Sequence, residues 1–255
     1  MRNKKYKATA VSYLNTKPFL YGIIKSGLDK EIDIQLNIPS VGAQQLQSGE
    51  VDFGLVPVAV VPEVPGAQLF SNYCIGTEGA VKTVCIYSQV PIEQLTHLYL
   101  DHHSKSSVAL TKVLLKNYWR LSPQLLSARE GYISRIKRNV GGLVIGDRAI
   151  GLEKEFKYVY DLGEEWQRFT GLPFVFATWI STHTLPDDFI HRFDHALQRG
   201  LDAIPELLYL LPTPTADFSL EEYFNEYISY DFDAPKRKAL ELFLNYVEEL
   251  DLVGV

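Results

Sequence analysis

Hydroxyl side chains cluster where a predicted strand turns into a helix, and their chemistry is that of an anion site. Ser104-Lys105-Ser106-Ser107 lies directly between a short strand and a helix. Free N–H groups and three hydroxyls at a helix N-terminus can hold a carboxylate. The same hydroxyls can instead cap the helix, and the two roles are compatible. The segment is therefore a candidate anion site.

Three further polar residues fall at or near strand ends. Asn15 ends a strand-to-helix turn, and its amide can both donate to and accept from a ligand hydroxyl. Thr83 lies in a predicted strand, Val81–Tyr87, where a threonine needs no functional reason. Asp147 follows Gly146 at the end of another strand and can either bind a ligand or cap the next helix. Each of these residues keeps a structural alternative.

The histidines do not predict a metal site. His102 and His103 are adjacent, so their side chains face different ways, and no third ligand stands near them in the sequence. His191 and His195 have the i, i+4 spacing of half a zinc motif, but Arg192 stands beside His191 where the zinc-protease pattern has its acidic base. The sequence also lacks a P-loop and the G-x-G-x-x-G and G-x-S-x-G motifs. We expect a site without a metal or a bound cofactor.

Composition indicates a globular α/β protein. The chain has 255 residues, of which 46% are hydrophobic and 22% charged, close to globular averages. These values exclude a disordered chain, a coiled coil and a collagen-like repeat. Cys74 and Cys85 lack partners at ligand spacing and are expected to be small buried hydrophobic residues.

Net charge and hydropathy limit the classes of partner that the protein can have. The formal net charge of −6 argues weakly against nucleic acid and anionic membranes as partners. No stretch approaches the roughly 18 apolar residues of a membrane helix. Residues 1–5 resemble the start of a signal peptide, but Tyr6–Ser12 is too polar and short for its apolar region. We expect a cytoplasmic protein with a small-molecule substrate. The oligomeric state is left open.

The first ninety residues alternate between strand and helix patterns. Strands are predicted over Tyr6–Val11, Asp33–Ile38 and Val51–Pro57. A helix capped by Thr16 and a second over Val41–Ser48 connect them. This β-α-β-α-β order is the signature of a mainly parallel sheet.

A second α/β unit follows. Its predicted strands include Leu98–Leu100 and Gly142–Ile145, with a helix from about Ser106 to Tyr118 and a candidate helix over Tyr132–Val140. The remainder of the chain after Phe174–Ile180, an aromatic strand-like run, has the spacing of amphipathic helices.

Two α/β units without a linker predict a two-lobed fold with a ligand cleft between the lobes. The first lobe would hold residues 1–88 and 180–255, and the second residues 89–179. The chain would cross near Ser88–Gln94 and again near Phe174–Ile180. Ligand clefts of such folds lie at the carboxyl ends of the parallel strands, where the candidate polar residues fall.

Several longer strings, in one order from about Val11 to Trp179, carry a family resemblance. They are SYLNTKP at 12–18, GLVPVA at 54–59, CIG at 74–76, GAVKTV at 79–84, LD at 100–101, SKSSVAL at 104–110, VIGD at 144–147, DLGEEW at 161–166 and TGLPFVFA at 170–177. Together they resemble the chorismate dehydratases of menaquinone biosynthesis by the futalosine route.

The resemblance implies a fold, a reaction and a set of site residues. It implies a type II periplasmic-binding-protein-like fold that has become an enzyme. That enzyme is a hydro-lyase that converts chorismate to 3-[(1-carboxyvinyl)oxy]benzoate and water without a cofactor. Asn15, Thr83, the Ser104–Ser107 turn and Asp147 fall on the family's cleft positions. We expect Asn15 to hold the leaving hydroxyl and Thr83 a substrate oxygen. The base is either the enolpyruvyl carboxylate of the substrate or Asp147.

The sequence departs from the family pattern at three places. Val60-Val61 stand where the family usually has an acidic residue and an aromatic one. Thr83 stands where serine is commoner and keeps the hydroxyl. Lys105 replaces a common arginine, which weakens a bidentate contact to a carboxylate.

Other functions stay open at this stage. The same fold would serve a solute-binding protein for a small carboxylate, although no signal peptide is recognised. The sister enzyme that makes 1,4-dihydroxy-6-naphthoate opens with a Pro-Asn-Asp-Thr-like string, where this chain has Leu14-Asn15-Thr16-Lys17. A transcriptional effector domain usually follows a helix-turn-helix region, and none precedes Tyr6.

Overall fold

The computed structural model describes residues 5–252 and their side chains as far as Leu250, and these residues form two sheets. We number the elements in chain order. Across the first sheet, which has six strands, lie β11 (Ser229–Asp231), β4 (Gln68–Thr77), β10 (Phe174–Ser181), β3 (Phe53–Pro57), β1 (Tyr6–Val11) and β2 (Ile32–Asn37). Across the second, which has five strands, lie β7 (Gln124–Ser127), β6 (His97–Leu100), β8 (Val140–Ile145), β5 (Val84–Ser88) and β9 (Tyr158–Asp161).

Helices cover both sheets. They are α1 (Lys17–Lys25), α2 (Pro39–Gln47), α3 (Lys105–Val113), α4 (Leu162–Thr170), α5 (Asp187–Asp202), α6 (Ile204–Leu210), α7 (Leu220–Glu222) and α8 (Ala234–Leu252). Two helices continue as short π-helical turns, α3 over Leu114–Trp119 and α7 over Tyr223–Tyr227. No helix in the described part of the chain is long and apolar enough to cross a membrane.

The first lobe, built on the six-stranded sheet, begins with the predicted β-α-β-α-β unit. β1 pairs in parallel with β2 on one side and with β3 on the other. β10 returns from the second lobe and runs antiparallel between β3 and β4. The parallel strands end on one edge of the sheet, and the polar turn after β1 lies at that edge.

The chain crosses between the sheets at other places than expected. β5 pairs with β8 and β9 in the second sheet, although residues 84–88 were assigned to the first lobe. β10 pairs with β3 and β4 in the first sheet, although residues 174–179 were assigned to the second. The crossovers therefore lie between β4 and β5 and between α4 and β10. The predicted crossover near Ser88–Gln94 instead connects β5 to β6 within the second sheet, and the one near Phe174–Ile180 is a strand of the first sheet, β10.

One local prediction is corrected, and one strand was not predicted. The candidate helix over Tyr132–Val140 is only a 3-10 turn at Tyr132–Arg135, after which the chain enters β8. Here the Ile136 side chain packs against Gly142, where a Cβ would lie 2.5 Å from its Cδ1. Gln68–Thr77 was not predicted to be a strand, yet it is β4.

Aromatic residues fill the core of the first lobe. Trp179 on β10 packs edge to face against Phe193 on α5, with ring centroids 4.9 Å apart. α1 and α5 approach each other closely at Gly22 and Gly200, where a Cβ on Gly200 would lie 1.9 Å from the Pro18 carbonyl oxygen. Both cysteines are free and buried, as expected.

Candidate functional site

A small cavity lies between the two lobes, at the ends of the parallel strands. Its volume is about 50 Å³. Among the predicted site residues, Asn15, Thr83, Ser104 and Ser107 line it, while Ser106 and Asp147 do not. Tyr13 and Gly146 also lie on its wall. The structure thus brings together one amide and three hydroxyls from both lobes.

Asn15 is held by a tight turn after β1. It is the middle residue of a 3-10 turn, Leu14–Thr16, that leads directly into α1. The Thr16 hydroxyl donates to Asn15 Oδ1 at 3.3 Å. The Tyr230 hydroxyl donates to the backbone carbonyl oxygen of Asn15 at 3.0 Å. These contacts orient the Asn15 amide and leave its N–H groups for other partners.

Thr83 lies immediately before β5, not inside the strand as predicted. It is the last residue of the first crossover, and only 1% of its surface is exposed. The Gly146 N–H donates to the Thr83 carbonyl oxygen at 2.8 Å, and the Thr83 hydroxyl lies 3.4 Å from the Val81 carbonyl oxygen. The preceding residue, Lys82, has a φ of 66°, which is rare for a side chain with a Cβ. The backbone of the crossover is therefore held in a defined conformation at Thr83.

Asp161 shapes that crossover and was not among the predicted site residues. Its carboxylate accepts the N–H groups of Val81 and Lys82 at 2.6–3.0 Å, and those of Gly163 and Glu164 at the start of α4. Burial raises the pKa of this carboxyl, and the backbone N–H groups oppose the rise. The sequence signal is an Asp three residues before a Glu, a helix N-cap pattern.

The Ser104–Ser107 turn caps α3 and also faces the cavity. Ser104 is the N-cap and accepts the Ser107 N–H at 3.4 Å, and the Ser107 hydroxyl donates to Ser104 Oγ at 3.2 Å. Ser106 instead accepts the Ala59 N–H of the first lobe at 3.1 Å. Lys105 lies 2.6 Å from Glu63, also in the first lobe. Ser104 therefore both caps α3 and lines the cavity.

Asp147 joins the lobes. It lies in a 3-10 turn, Gly146–Ala149, directly after β8, and its carboxylate accepts the Leu14 N–H. The residue keeps part of its surface in water, yet desolvation at the lobe interface raises the pKa of its carboxyl. The Leu14 hydrogen bond and nearby Lys17 oppose that rise. In this structure its partner is the backbone beside Asn15.

A second polar network connects the lobes around His103. The Nη2 group of Arg148 donates both to the Asp101 carboxylate, at 2.5 Å, and to His103 Nδ1, at 3.0 Å. The Tyr13 hydroxyl lies 3.2 Å from the same Nδ1, and the His103 carbonyl oxygen accepts the Ser40 N–H. Arginine only donates, so Nδ1 is unprotonated and His103 is neutral in this arrangement. Burial lowers the pKa of His103, and Arg148 lowers it further.

Tyr223 lies behind the cavity and was not predicted either. It is buried in the π-helical turn after α7, and its hydroxyl lies 3.1 Å from Thr83 Oγ1. Burial raises its pKa, and hydrogen bonds with Thr83 and Asn15 oppose that rise. Local sequence around it reads as an ordinary amphipathic helix, so nothing there marks it as a site residue.

The other histidines stay apart from the cavity. His191 and His195 are exposed on α5, as expected for a surface helix. His102 is exposed, and its ring meets the His103 ring edge to face. Within residues 5–250, no group of three or more His, Cys, Asp and Glu side chains is arranged to hold a metal ion.

Sequence comparison identifies the family. Residues 6–249 match the sequence model of a family described as "Menaquinone biosynthesis". The chain belongs to this menaquinone biosynthesis family. A relative of the chain is the chorismate dehydratase of Thermus thermophilus, 28% identical over 190 residues, which are 67% of this chain and 69% of the relative.

Solved structures show the fold that this member of the menaquinone biosynthesis family adopts. Protein AF1704 from Archaeoglobus fulgidus superposes with a TM-score of 0.72 at 11% identity, over 99% of this chain and 100% of its own. An ABC transporter from Parabacteroides distasonis gives 0.64 at 16% identity, over 97% and 93%. The CA3427 product of Candida albicans, described as having the generic periplasmic binding protein fold, gives 0.62 at 11%, over 97% and 95%. The expected two-lobed periplasmic-binding-protein-like fold is confirmed.

Proposed function

We propose that this protein is a chorismate dehydratase, a hydro-lyase that forms 3-[(1-carboxyvinyl)oxy]benzoate and water. The observation that carries the proposal is the arrangement of the cavity. Asn15 and Thr83, which match the family's cleft positions, share one cavity with the N-terminus of α3. Membership of the menaquinone biosynthesis family and the Thermus relative support the same reaction.

The reaction needs positioning more than strong acid or base groups. A base takes the proton from ring carbon C3, the electron pair forms the C3–C4 double bond, and the C4 hydroxyl leaves and receives that proton from the base to become water. The ring becomes aromatic, which supplies a large driving force. Holding the substrate in the reactive geometry is then the main task of the protein. A cavity with an amide and hydroxyls suits that task, with Asn15 on the leaving hydroxyl and Thr83 on a substrate oxygen.

The cavity can hold an anion without a cation in its wall. Chorismate carries two carboxylates, and the cavity-lining residues include no Lys or Arg. Backbone N–H groups at the start of α3 provide the positive end of a helix dipole. Ser104 and Ser107, residues of which 6% and 2% of the surface is exposed, add hydroxyls. We propose that one carboxylate of chorismate binds there.

The lobes must open for substrate to enter. The cavity of about 50 Å³ holds one or two water molecules, whereas pockets for small organic ligands measure roughly 300–1,000 Å³. We propose that the lobes move as units about the two crossovers. Opening would break the contact between Asp147 and Leu14 and the contact between Tyr13 and His103.

The direct test incubates the purified protein with chorismate and analyses the mixture by chromatography and mass spectrometry. We expect a product 18 mass units lighter that keeps the enolpyruvyl group. An Asn15→Ala variant should lose about 100-fold or more in kcat, if loss of this hydrogen bond resembles loss of an oxyanion-type donor.

Other outcomes separate the alternatives. Chorismate binding without turnover would favour a solute-binding protein, the function of several proteins with this fold. Absence of both binding and turnover would refute the assignment. Full kcat in the Asn15→Ala variant would refute the role of Asn15 while leaving the reaction intact.

A further inference from the structure

We propose that Tyr223 is a positioning residue that orients Thr83 for the reaction. The proposal rests on the proposed dehydratase function. Tyr223 comes from the C-terminal part of the chain, whereas Thr83 lies at the first crossover. The Tyr223 hydroxyl lies 3.1 Å from Thr83 Oγ1.

The hydrogen bond between Tyr223 and Thr83 can run in either direction. The direction that serves the reaction is the one in which Tyr223 donates its proton to Thr83 Oγ1. In this direction the Thr83 hydroxyl can donate its own proton to a substrate oxygen in the cavity. Its other acceptor, the Val81 carbonyl oxygen, lies 3.4 Å away, so that hydrogen bond is weak.

The Tyr223 ring has little freedom to move. Ser219 caps α7 by accepting the Glu222 N–H at 3.1 Å, and the π-helical turn follows. Phe218 and Phe224 pack against the Tyr223 ring, with centroids 5.2 and 5.7 Å away. Only 1% of the Tyr223 surface is exposed. A rigid ring of this kind fixes the position of its hydroxyl and, through it, the Thr83 side chain.

Tyr223 positions a neighbouring side chain and does not itself transfer a proton in the reaction. Burial raises its pKa, so the phenol stays neutral at physiological pH and is no base. Its ring also forms part of the wall of a second cavity, of about 360 Å³, that Asn15 and Thr83 do not line. A large-to-small substitution would disturb that cavity as well as the hydroxyl. The informative change is therefore Tyr223→Phe, which removes only the oxygen.

The matched control is Tyr87→Phe. Tyr87 is also 1% exposed, and its hydroxyl donates to the Ala149 carbonyl oxygen at 3.0 Å, away from Asn15 and Thr83. Both variants lose one buried hydrogen bond, so both should lose about 1 kcal/mol of stability. A purely structural role predicts the same kinetics for both. A positioning role predicts a change in kcat for Tyr223→Phe alone.

The experiment measures kcat and KM for chorismate in both variants, in Thr83→Val and in Tyr223→Phe/Thr83→Val. We expect Tyr223→Phe to lower kcat by about 10-fold to 100-fold, the range that a misplaced group produces, with KM within about twofold. Tyr87→Phe should keep the kcat of the unaltered protein. In the Thr83→Val background the tyrosine change should have a much smaller effect, because residues that act as a unit are not additive.

Two results would overturn the proposal while leaving the reaction standing. They are an unchanged kcat in Tyr223→Phe and fully additive effects in the double variant. Failure of the unaltered protein to convert chorismate would refute the dehydratase function and this inference with it. Measuring chorismate conversion by the unaltered protein therefore distinguishes failure of the proposed function from failure of this inference alone.

Discussion

Both carboxylate oxygens of Asp147 accept the backbone N–H of Leu14, at 3.0 and 3.2 Å, and this contact joins the lobes directly beside Asn15. The contact gives Asp147 two candidate roles, lobe closure and proton acceptance. A neutral amide oxygen can still accept the Leu14 N–H, but an amide cannot take a proton from the substrate. The two roles therefore predict different effects of the same substitution.

We expect Asp147→Asn to retain kcat within about fivefold, because one acceptor oxygen remains for Leu14. Asp147→Ala should raise KM and lower kcat, because the closed lobes lose this hydrogen bond. Steady-state kinetics with chorismate check both variants. If Asp147→Asn is as inactive as Asp147→Ala, Asp147 is the base, and closure is not its main role.

Gly146 offers a second test of lobe closure. It has a φ of 66°, and a Cβ there would lie 2.6 Å from the Tyr13 ring. Gly131 has a φ of 75° and open space around it. Alanine at either position should lose about 1 kcal/mol of stability, since the left-handed region disfavours a Cβ. Only Gly146→Ala should also raise KM for chorismate, by about tenfold. Equal kinetics in the two variants would show that the Tyr13 contact does not limit closure.

Removal of the Asp161 carboxylate should affect both stability and catalysis. Asp161→Ala leaves four backbone N–H groups without this acceptor, two of them buried and two part-buried, which should lower the free energy of unfolding by about 3 kcal/mol. It should also lower kcat, because the crossover that carries Thr83 loosens. The control is Asp194→Ala, since Asp194 accepts hydrogen bonds from Ser71 and Asn72, and none of these three residues lines the cavity. Denaturant unfolding and turnover per folded molecule check the prediction. A similar loss of kcat in both variants would contradict it.

His103 should make the stability of the closed protein fall in acid. Its pKa is lowered by burial and by Arg148 and His102, while Asp101 opposes the shift. Because the folded pKa lies below the ordinary value of 6.5, the stabilising contribution is present above that value. It is lost as pH falls through the lowered pKa, where a protonated ring would lose its acceptor nitrogen beside Arg148 and Tyr13.

The matching experiment compares melting temperatures between pH 7.5 and 5 for the unaltered protein and for His103→Gln. Glutamine offers an acceptor oxygen to Arg148 but does not titrate. We expect the unaltered protein to lose more of its melting temperature on acidification than the variant does. Parallel pH profiles for the two proteins would show that His103 does not contribute.

The first lobe was largely predictable because its signals are local. The β-prone run Tyr6–Val11, the alternation in Asp33–Ile38 and Gly27 after the first helix mark a unit whose strands pair with near neighbours. β4 escaped prediction because polar Ser71 and Asn72 interrupt its apolar pattern, and the contacts that stabilise it come from β10, about a hundred residues later. The crossovers were misplaced for the same reason, since strand pairing over long distances leaves no local pattern.

The cavity-lining residues divide along similar lines. Asn15, Ser104 and Ser107 follow from the rule that strand ends converge on one edge of a sheet. Ser106 and Asp147 obey the same rule, yet they contact the opposite lobe, and no pattern within one lobe reports how the two lobes meet. Tyr223 meets Thr83 only because the C-terminal part of the chain packs back beside the first crossover, so no local pattern predicts it as a site residue.

The polar centre of the cavity is assembled from segments that are far apart in the chain. The contact between Thr83 and Tyr223 spans 140 residues, and the contact between Tyr230 and the Asn15 carbonyl spans 215. During synthesis, Asn15 and Thr83 leave the ribosome long before the segment that orients them exists. A nascent chain can therefore form its first parallel strands early, but it acquires a competent active centre only after the C-terminal segment has been made and docked.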